Sequence, residues 1–104
     1  MQWKVDDRVL ANWTHDDYWY PATIKNMDGE RIYIHFDDGD KEWTTSDHLM
    51  NIDIEVGDRV HGRWNGGPFY YAGRVAQQEG EKIYIEYDDG DQEWTTISSV
   101  RVTR

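Results

Sequence analysis

Two stretches of this chain, Asp37-Asp38-Gly39-Asp40-Lys41-Glu42-Trp43-Thr44-Thr45 and Asp88-Asp89-Gly90-Asp91-Gln92-Glu93-Trp94-Thr95-Thr96, differ at a single residue. They lie 51 residues apart, and that offset holds without a gap from Val5/Val56 to Asn51/Val102, with nineteen of the 47 aligned pairs identical. A chain of 104 residues written this way is two units, expected at 1–51 and 52–104. A unit of about 50 residues buries only a small core, so the copies are expected to pack against each other. The chain has no Cys, so neither disulfides nor thiolate zinc can reinforce that core.

Short strands fill each copy. Ile32-Tyr33-Ile34-His35-Phe36 and Ile83-Tyr84-Ile85-Glu86-Tyr87 alternate with period two into Asp-Asp-Gly-Asp, which predicts a strand, a tight turn and a returning strand. Val9, Ala11 and Trp13 share one face of an earlier strand, as do Val60, Gly62 and Trp64. A second strand over about Tyr18–Asn26 and Phe69–Gln77 puts Tyr18, Tyr20, Ala22 and Ile24, or Phe69, Tyr71, Gly73 and Val75, on one face, with Trp19 and Tyr70 pointing the other way. Pro21 lacks an amide hydrogen and is expected at an edge or a bulge. Only Thr14-His15-Asp16-Asp17 against Asn65-Gly66-Gly67-Pro68 differs strongly between copies. Ser46 and Asp47 read as caps of a short helical turn before a fifth strand. No segment sustains helical periodicity. The architecture expected is all-β: two five-stranded sheets, each bent strongly enough to close and remove its exposed edges.

Charge narrows the partner. Acidic residues outnumber basic ones 21 to 11, a formal net charge of −10, and both halves are acidic. That argues against a nucleic-acid backbone as the main partner and favours a basic one. Six Trp, seven Tyr and two Phe exceed what so small a core can enclose, so some rings are expected at a surface where they bind. With no apolar run long enough for a membrane span and no signal-peptide pattern, the chain is expected to be soluble and intracellular, nuclear in a eukaryote or cytoplasmic in a bacterium. The acidic turns lack the ligand spacing of a calcium loop, and His15, His35, His48 and His61 lack zinc spacing, so neither metal nor cofactor is expected. Catalysis is not expected either, because turn-exposed carboxylates have no burial to separate their pKa values.

The order Val-x-x-Arg-Val-x-Ala-x-Trp, then Tyr-Trp-Tyr-x-Ala-x-Ile, then Tyr-Ile-x-Phe-Asp-Asp-Gly-Asp resembles the Tudor domains of the Tudor, Agenet and chromo superfamily. It does so over both copies, as in the tandem Tudor arrangement of methyl-lysine readers. The resemblance implies two SH3-like barrels, each with an aromatic cage at one end. Carried over by position, the cages are Trp13, Tyr20 and Phe36 with Asp38, and Trp64, Tyr71 and Tyr87 with Asp89. One position departs from that pattern: where methyl-lysine-binding Tudor domains often have another ring, this chain has Asp40 and Asp91. Three rings and two carboxylates per cage suit a less methylated Lys, an Arg or a free amino terminus better than a trimethylated Lys.

Plainer accounts exist for the same residues. Asp and Gly are ordinary turn formers. Trp13, Tyr20 and their counterparts share faces with core positions, Phe36 and Tyr87 share a face with the Ile pair of their strand, and Trp43 and Trp94 are expected to serve packing. An acidic, aromatic adaptor that docks a basic protein without reading methylation is the alternative function. Nucleic-acid binding through Arg63, Arg74, Arg101 and Arg104 is a further one.

Overall fold

The structure is a computed structural model that describes residues 3–13 and 16–103; Thr14, His15 and Arg104, named above, lie outside the described residues. The chain divides into two compact units, with the change between Ile52 and Asp53. In the first unit β1 (Arg8–Asn12), β2 (Trp19–Asp28), β3 (Arg31–Phe36), β4 (Lys41–Thr44) and β5 (Leu49–Asn51) form one antiparallel sheet in the order β4-β3-β2-β1-β5. In the second, β6 (Arg59–Arg63), β7 (Tyr70–Glu79), β8 (Lys82–Tyr87), β9 (Gln92–Thr96) and β10 (Val100–Arg101) form the order β10-β6-β7-β8-β9. The fold is all-β, two five-stranded sheets in series. No helix among the described residues is long and apolar enough to cross a membrane.

Both long strands slip register at the same place, between Ile24 and Asn26 and between Val75 and Gln77. A bulge there bends the ribbon over its own inner face. The fifth strand pairs with the first (Ala11 opposite Leu49, Gly62 opposite Val100), and among the described residues no ladder joins it to the fourth. A 3-10 turn, Ser46–His48 or Ile97–Ser99, carries the backbone from the end of the fourth strand across to the first. Ser46 and Asp47 lie within that turn and do not cap it; Thr45 precedes it, and its hydroxyl donates to the Asp47 carboxylate.

Pro21 is neither at an edge nor at the bulge, because β2 is the middle strand. The Trp13 amide donates to the Tyr18 carbonyl and the Ile24 amide to the Asp7 carbonyl, so alternation makes Leu10 and Pro21 a non-hydrogen-bonded pair. The Pro21 nitrogen thus faces past the end of β3, where the acidic turn leaves the sheet and no ladder bond is lost. Its carbonyl accepts the Asp37 amide at 3.0 Å.

Val9, Ala11, Ala22, Ile24, Ile32, Ile34, Phe36 and Leu49 make the first core, with Trp3, Trp13, Tyr20 and Met27 packed on it. Ile54, Val60, Val75, Ile83, Ile85, Tyr87, Ile97 and Val100 are buried in the second. One substitution between copies brings another with it. Where the first unit has Phe36 and Ala11, the second has Tyr87 and Gly62, and a Cβ on Gly62 would stand 2.6 Å from the Tyr87 hydroxyl. The added oxygen needs the space that the missing methyl leaves. Trp43 and Trp94 turn outward by strand parity, and each lies partly exposed against a tyrosine of its own sheet, Tyr33 or Tyr84.

Candidate ligand-binding site at the open end of each unit

The loop between the first two strands and the turn between the third and fourth lie at the same end of each unit. In the first unit Trp13 follows β1, Tyr20 stands in β2 and Phe36 ends β3. The Trp13 and Tyr20 ring centroids are 6.3 Å apart and those of Tyr20 and Phe36 are 6.2 Å apart, each pair at an interplanar angle of 89°. Tyr20 is the middle member of a run of perpendicular rings. Edge-to-face pairs of this kind contribute about 0.5–1.5 kcal/mol each beyond burial. Trp13 and Tyr20 are half-buried, whereas Phe36 is only 5% exposed.

Asp16 holds this arrangement in place. Its carboxylate accepts the Tyr20 hydroxyl at 2.7 Å and the Tyr18 amide at 2.8 Å, while its own amide donates to the Trp13 carbonyl. The Asn12 side chain donates to the Tyr18 carbonyl at 3.2 Å from the other side of the loop.

The acidic turn divides its three carboxylates among three tasks. Asp37 is gripped by the Arg8 fork, Nη1 to Oδ1 at 2.6 Å and Nη2 to Oδ2 at 2.7 Å. Asp38 accepts the Asp40 amide at 3.0 Å, the turn-forming role that Asp commonly takes. Asp40 returns the chain to β4 through its carbonyl, which accepts the Phe36 amide, and its carboxylate is exposed. Gly39 supplies the positive φ of 102° that the turn requires. The second unit repeats this closely: Arg59 grips Asp88 at 2.8 and 2.5 Å, Asp89 accepts the Asp91 amide, and Asp91 is exposed. Hydrogen bonds from Arg59 hold the Asp88 carboxyl below its ordinary range. Of the carboxylates in each cluster, the first is therefore neutralised within the unit, while Asp38, Asp40, Asp89 and Asp91 form no ion pair among the described residues.

The rings of the second unit are arranged differently. Gly67 stands where the first unit has Asp16, and the loop becomes a 3-10 turn, Trp64–Gly66, with Asn65 at φ 54°. Trp64 contacts Tyr87 directly, edge to face at 5.8 Å. The Tyr87 hydroxyl donates to Glu93 at 2.6 Å, and the Asn65 amide donates to both oxygens of the same carboxylate. Burial first, and then Glu93, pushes the Tyr87 phenol above its ordinary range. Tyr71, 45% exposed, makes no ring contact with Trp64 or Tyr87 among the described residues. Trp13, Tyr20 and Phe36 are thus brought together, while in the second unit only Trp64 and Tyr87 are.

Arg8, Asp16, Asp37 and Glu93 were not singled out from the sequence. Arg8/Arg59, Asp37/Asp88 and Glu42/Glu93 are among the identical pairs of the repeat, and that identity was the available signal. Asp16 sits where the copies diverge and carried none.

Comparison with known proteins places this fold. No protein-family model matches the chain. The crystal structure of the Crb2 tandem tudor domains is similar over 99% of this chain and 82% of that one, with a TM-score of 0.66 and 17% identity. Arabidopsis thaliana AGDP1 AGD34 aligns over 91% of this chain and 77% of that one, with a TM-score of 0.41 and 17% identity. The survival motor neuron protein of Canis lupus familiaris is 34% identical over 62 residues, 57% of this chain, and the chain spans 22% of that protein's length. The chain has the fold of tandem Tudor domains.

Proposed function

We propose that this pair of Tudor-type barrels is a non-catalytic binding module for a basic peptide, and that Trp13, Tyr20 and Phe36 with Asp38 and Asp40 hold its Lys or Arg side chain. The run of three rings, each perpendicular to the next, at the end of the unit that also carries the exposed carboxylates of the acidic turn supports the reading. Ring faces attract a poorly hydrated cation by about 0.5–2 kcal/mol per contact. A neighbouring carboxylate accepts any N–H that the cation retains, so mono- and dimethyl-lysine or a methylated arginine is favoured over trimethyl-lysine. In the second unit Trp64, Tyr71, Tyr87, Asp89 and Asp91 form the weaker site, because Trp64 already covers Tyr87 and Tyr71 stands apart.

A second reading follows from the same exposure. With Trp64 39% and Tyr71 45% exposed and Phe69 also at the surface, the second unit offers apolar rings without a cage, as an adaptor that docks a basic protein irrespective of methylation would. Calorimetric titration with one basic peptide carrying unmodified, mono-, di- and trimethyl-lysine, and with its arginine analogues, separates the two. Cage recognition gives selectivity for the lower methylation states and a loss of about tenfold or more in Trp13→Ala. Equal affinity for every form, unchanged in Trp13→Ala, overturns it in favour of the adaptor.

A further inference from the structure

At the other end of the strands from the acidic turn, the two units solve one local problem in different ways. In the first unit the Arg31 guanidinium lies over Trp43, its carbon 4.6 Å from the ring centroid, and donates to the Asp28 carboxylate at 3.0 Å. Trp43 leans on Tyr33 at a centroid distance of 5.0 Å. A planar cation, an indole face and a carboxylate form a satisfied set of three.

The repeat places Lys82, Trp94 and Glu79 at those positions, and keeps the tyrosine contact, Tyr84 to Trp94 at 5.4 Å. The cation does not follow. Among the described residues neither Lys82 nor any other cation lies over Trp94, which is 46% exposed. An ammonium is a compact, strongly hydrated charge that stays in water, where a guanidinium is weakly hydrated and flat enough to stack. Glu79, Lys82, Trp94, Thr95 and Thr96 instead line a cavity of about 420 Å³. The register explains the grouping: Glu79 pairs with Lys82, Lys82 with Thr96 and Tyr84 with Trp94, while Ile83 and Ile85 point inward.

We propose that this cavity is a guanidinium site, which takes an arginine side chain of a basic partner chain onto Trp94 with its fork toward Glu79. Arg31 is the internal copy of that ligand. Thr95 and Thr96 form the rim, and Lys82, held by neither neighbour, swings aside into solvent. The site is separate from the aromatic cage, since Lys82 and Tyr87 stand at opposite ends of β8, about 16 Å apart at strand rise. It discriminates by shape: arginine stacks and forks where lysine does neither.

The test is a titration of the isotopically labelled chain with acetyl-Gly-Arg-Gly-amide, read at the tryptophan indole N–H resonances and the Thr95 and Thr96 amides. The arginine peptide is expected to move Trp94, Thr95 and Thr96, and acetyl-Gly-Lys-Gly-amide to bind about fivefold or more weakly. Lys82→Arg, a conservative exposed change, fills the cavity from within and removes the response, while Arg31→Ala uncovers Trp43 and makes it respond. Trp13→Ala leaves the Trp94 response intact, so failure of the cage reading and failure of this one appear at different indoles. A Trp94 resonance unmoved by the arginine peptide, or moved equally by both peptides and still moved in Lys82→Arg, overturns the proposal.

Discussion

The loops 13–20 and 64–71 join equivalent strands at equivalent ends of two sheets with the same strand order, yet they hold their aromatic residues differently. In the first, the Asp16 carboxylate accepts the Tyr20 hydroxyl and the Tyr18 amide, and Tyr20 stands between Trp13 and Phe36. In the second, Gly67 offers no such group, the loop coils into a 3-10 turn, and it is tied through Asn65 to Glu93, which also holds Tyr87. Trp64 then lies against Tyr87, and Tyr71 is left at the surface. Duplication preserved the scaffold, and a few side chains in one loop decide whether three rings or two are gathered at its end.

The largest test of this contrast is at the paired substitution behind it. Gly62→Ala forces a methyl against the Tyr87 hydroxyl and is expected to cost about 1–3 kcal/mol in chemical denaturation. Adding Tyr87→Phe, which restores the pair found in the first unit, should recover most of the loss; if the double variant is as unstable as the single one, the steric account is wrong. Next comes Asp16→Ala, which removes the acceptor of the Tyr20 hydroxyl and of the Tyr18 amide. A stability loss of about 1 kcal/mol and weaker peptide binding are expected. Unchanged binding in that variant would mean Tyr20 needs no such brace.

The smallest effect is on pH dependence, and it lies in a position where the copies differ as Leu10 and His61. Burial, assisted by Arg101 and Arg59 and opposed by Asp88, holds the His61 imidazole below its ordinary range. The unfolded chain therefore takes up this proton first. Stability is complete above about pH 6.5 and declines as pH falls from there toward the folded-state value. In His61→Leu, thermal denaturation followed from pH 7.5 down to 5.5 should show a flatter decline than the parent; an identical decline would assign the effect to other groups.

How far the sequence disclosed all this depends on the range of each interaction. Alternation in Ile32–Phe36 and Ile83–Tyr87 marked the third strands, placed Phe36 and Tyr87 on the buried side, and together with Gly39 and Gly90 located the hairpin turns. Those are local regularities, repeated twice. The Arg8–Asp37 and Arg59–Asp88 pairs each join residues 29 apart, beyond any periodicity, and only their recurrence in both copies hinted at them. Pro21 was misplaced because its restriction depends on which side of the strand its nitrogen faces, and that follows from pairing rather than from residue type. The parity of Trp43 and Trp94 set them apart from their neighbours in the strand, and each lies against a tyrosine on the outer face, a contact that pairing across the hairpin decides and residue type does not. Of the candidate site, the ring positions could be listed from the motif order. The part that makes the two ends unequal is carried by Asp16, Gly67 and Asn65, in the stretch where the copies give each other no support.

One titration bears most directly on the proposed inequality of the two ends: the unmodified chain against a dimethyl-lysine peptide, with all indole N–H resonances followed together. The account predicts that Trp13 shifts progressively and saturates while Trp64 barely moves. A response at Trp64 equal to that at Trp13, or silence at Trp13 with binding still present, would contradict it.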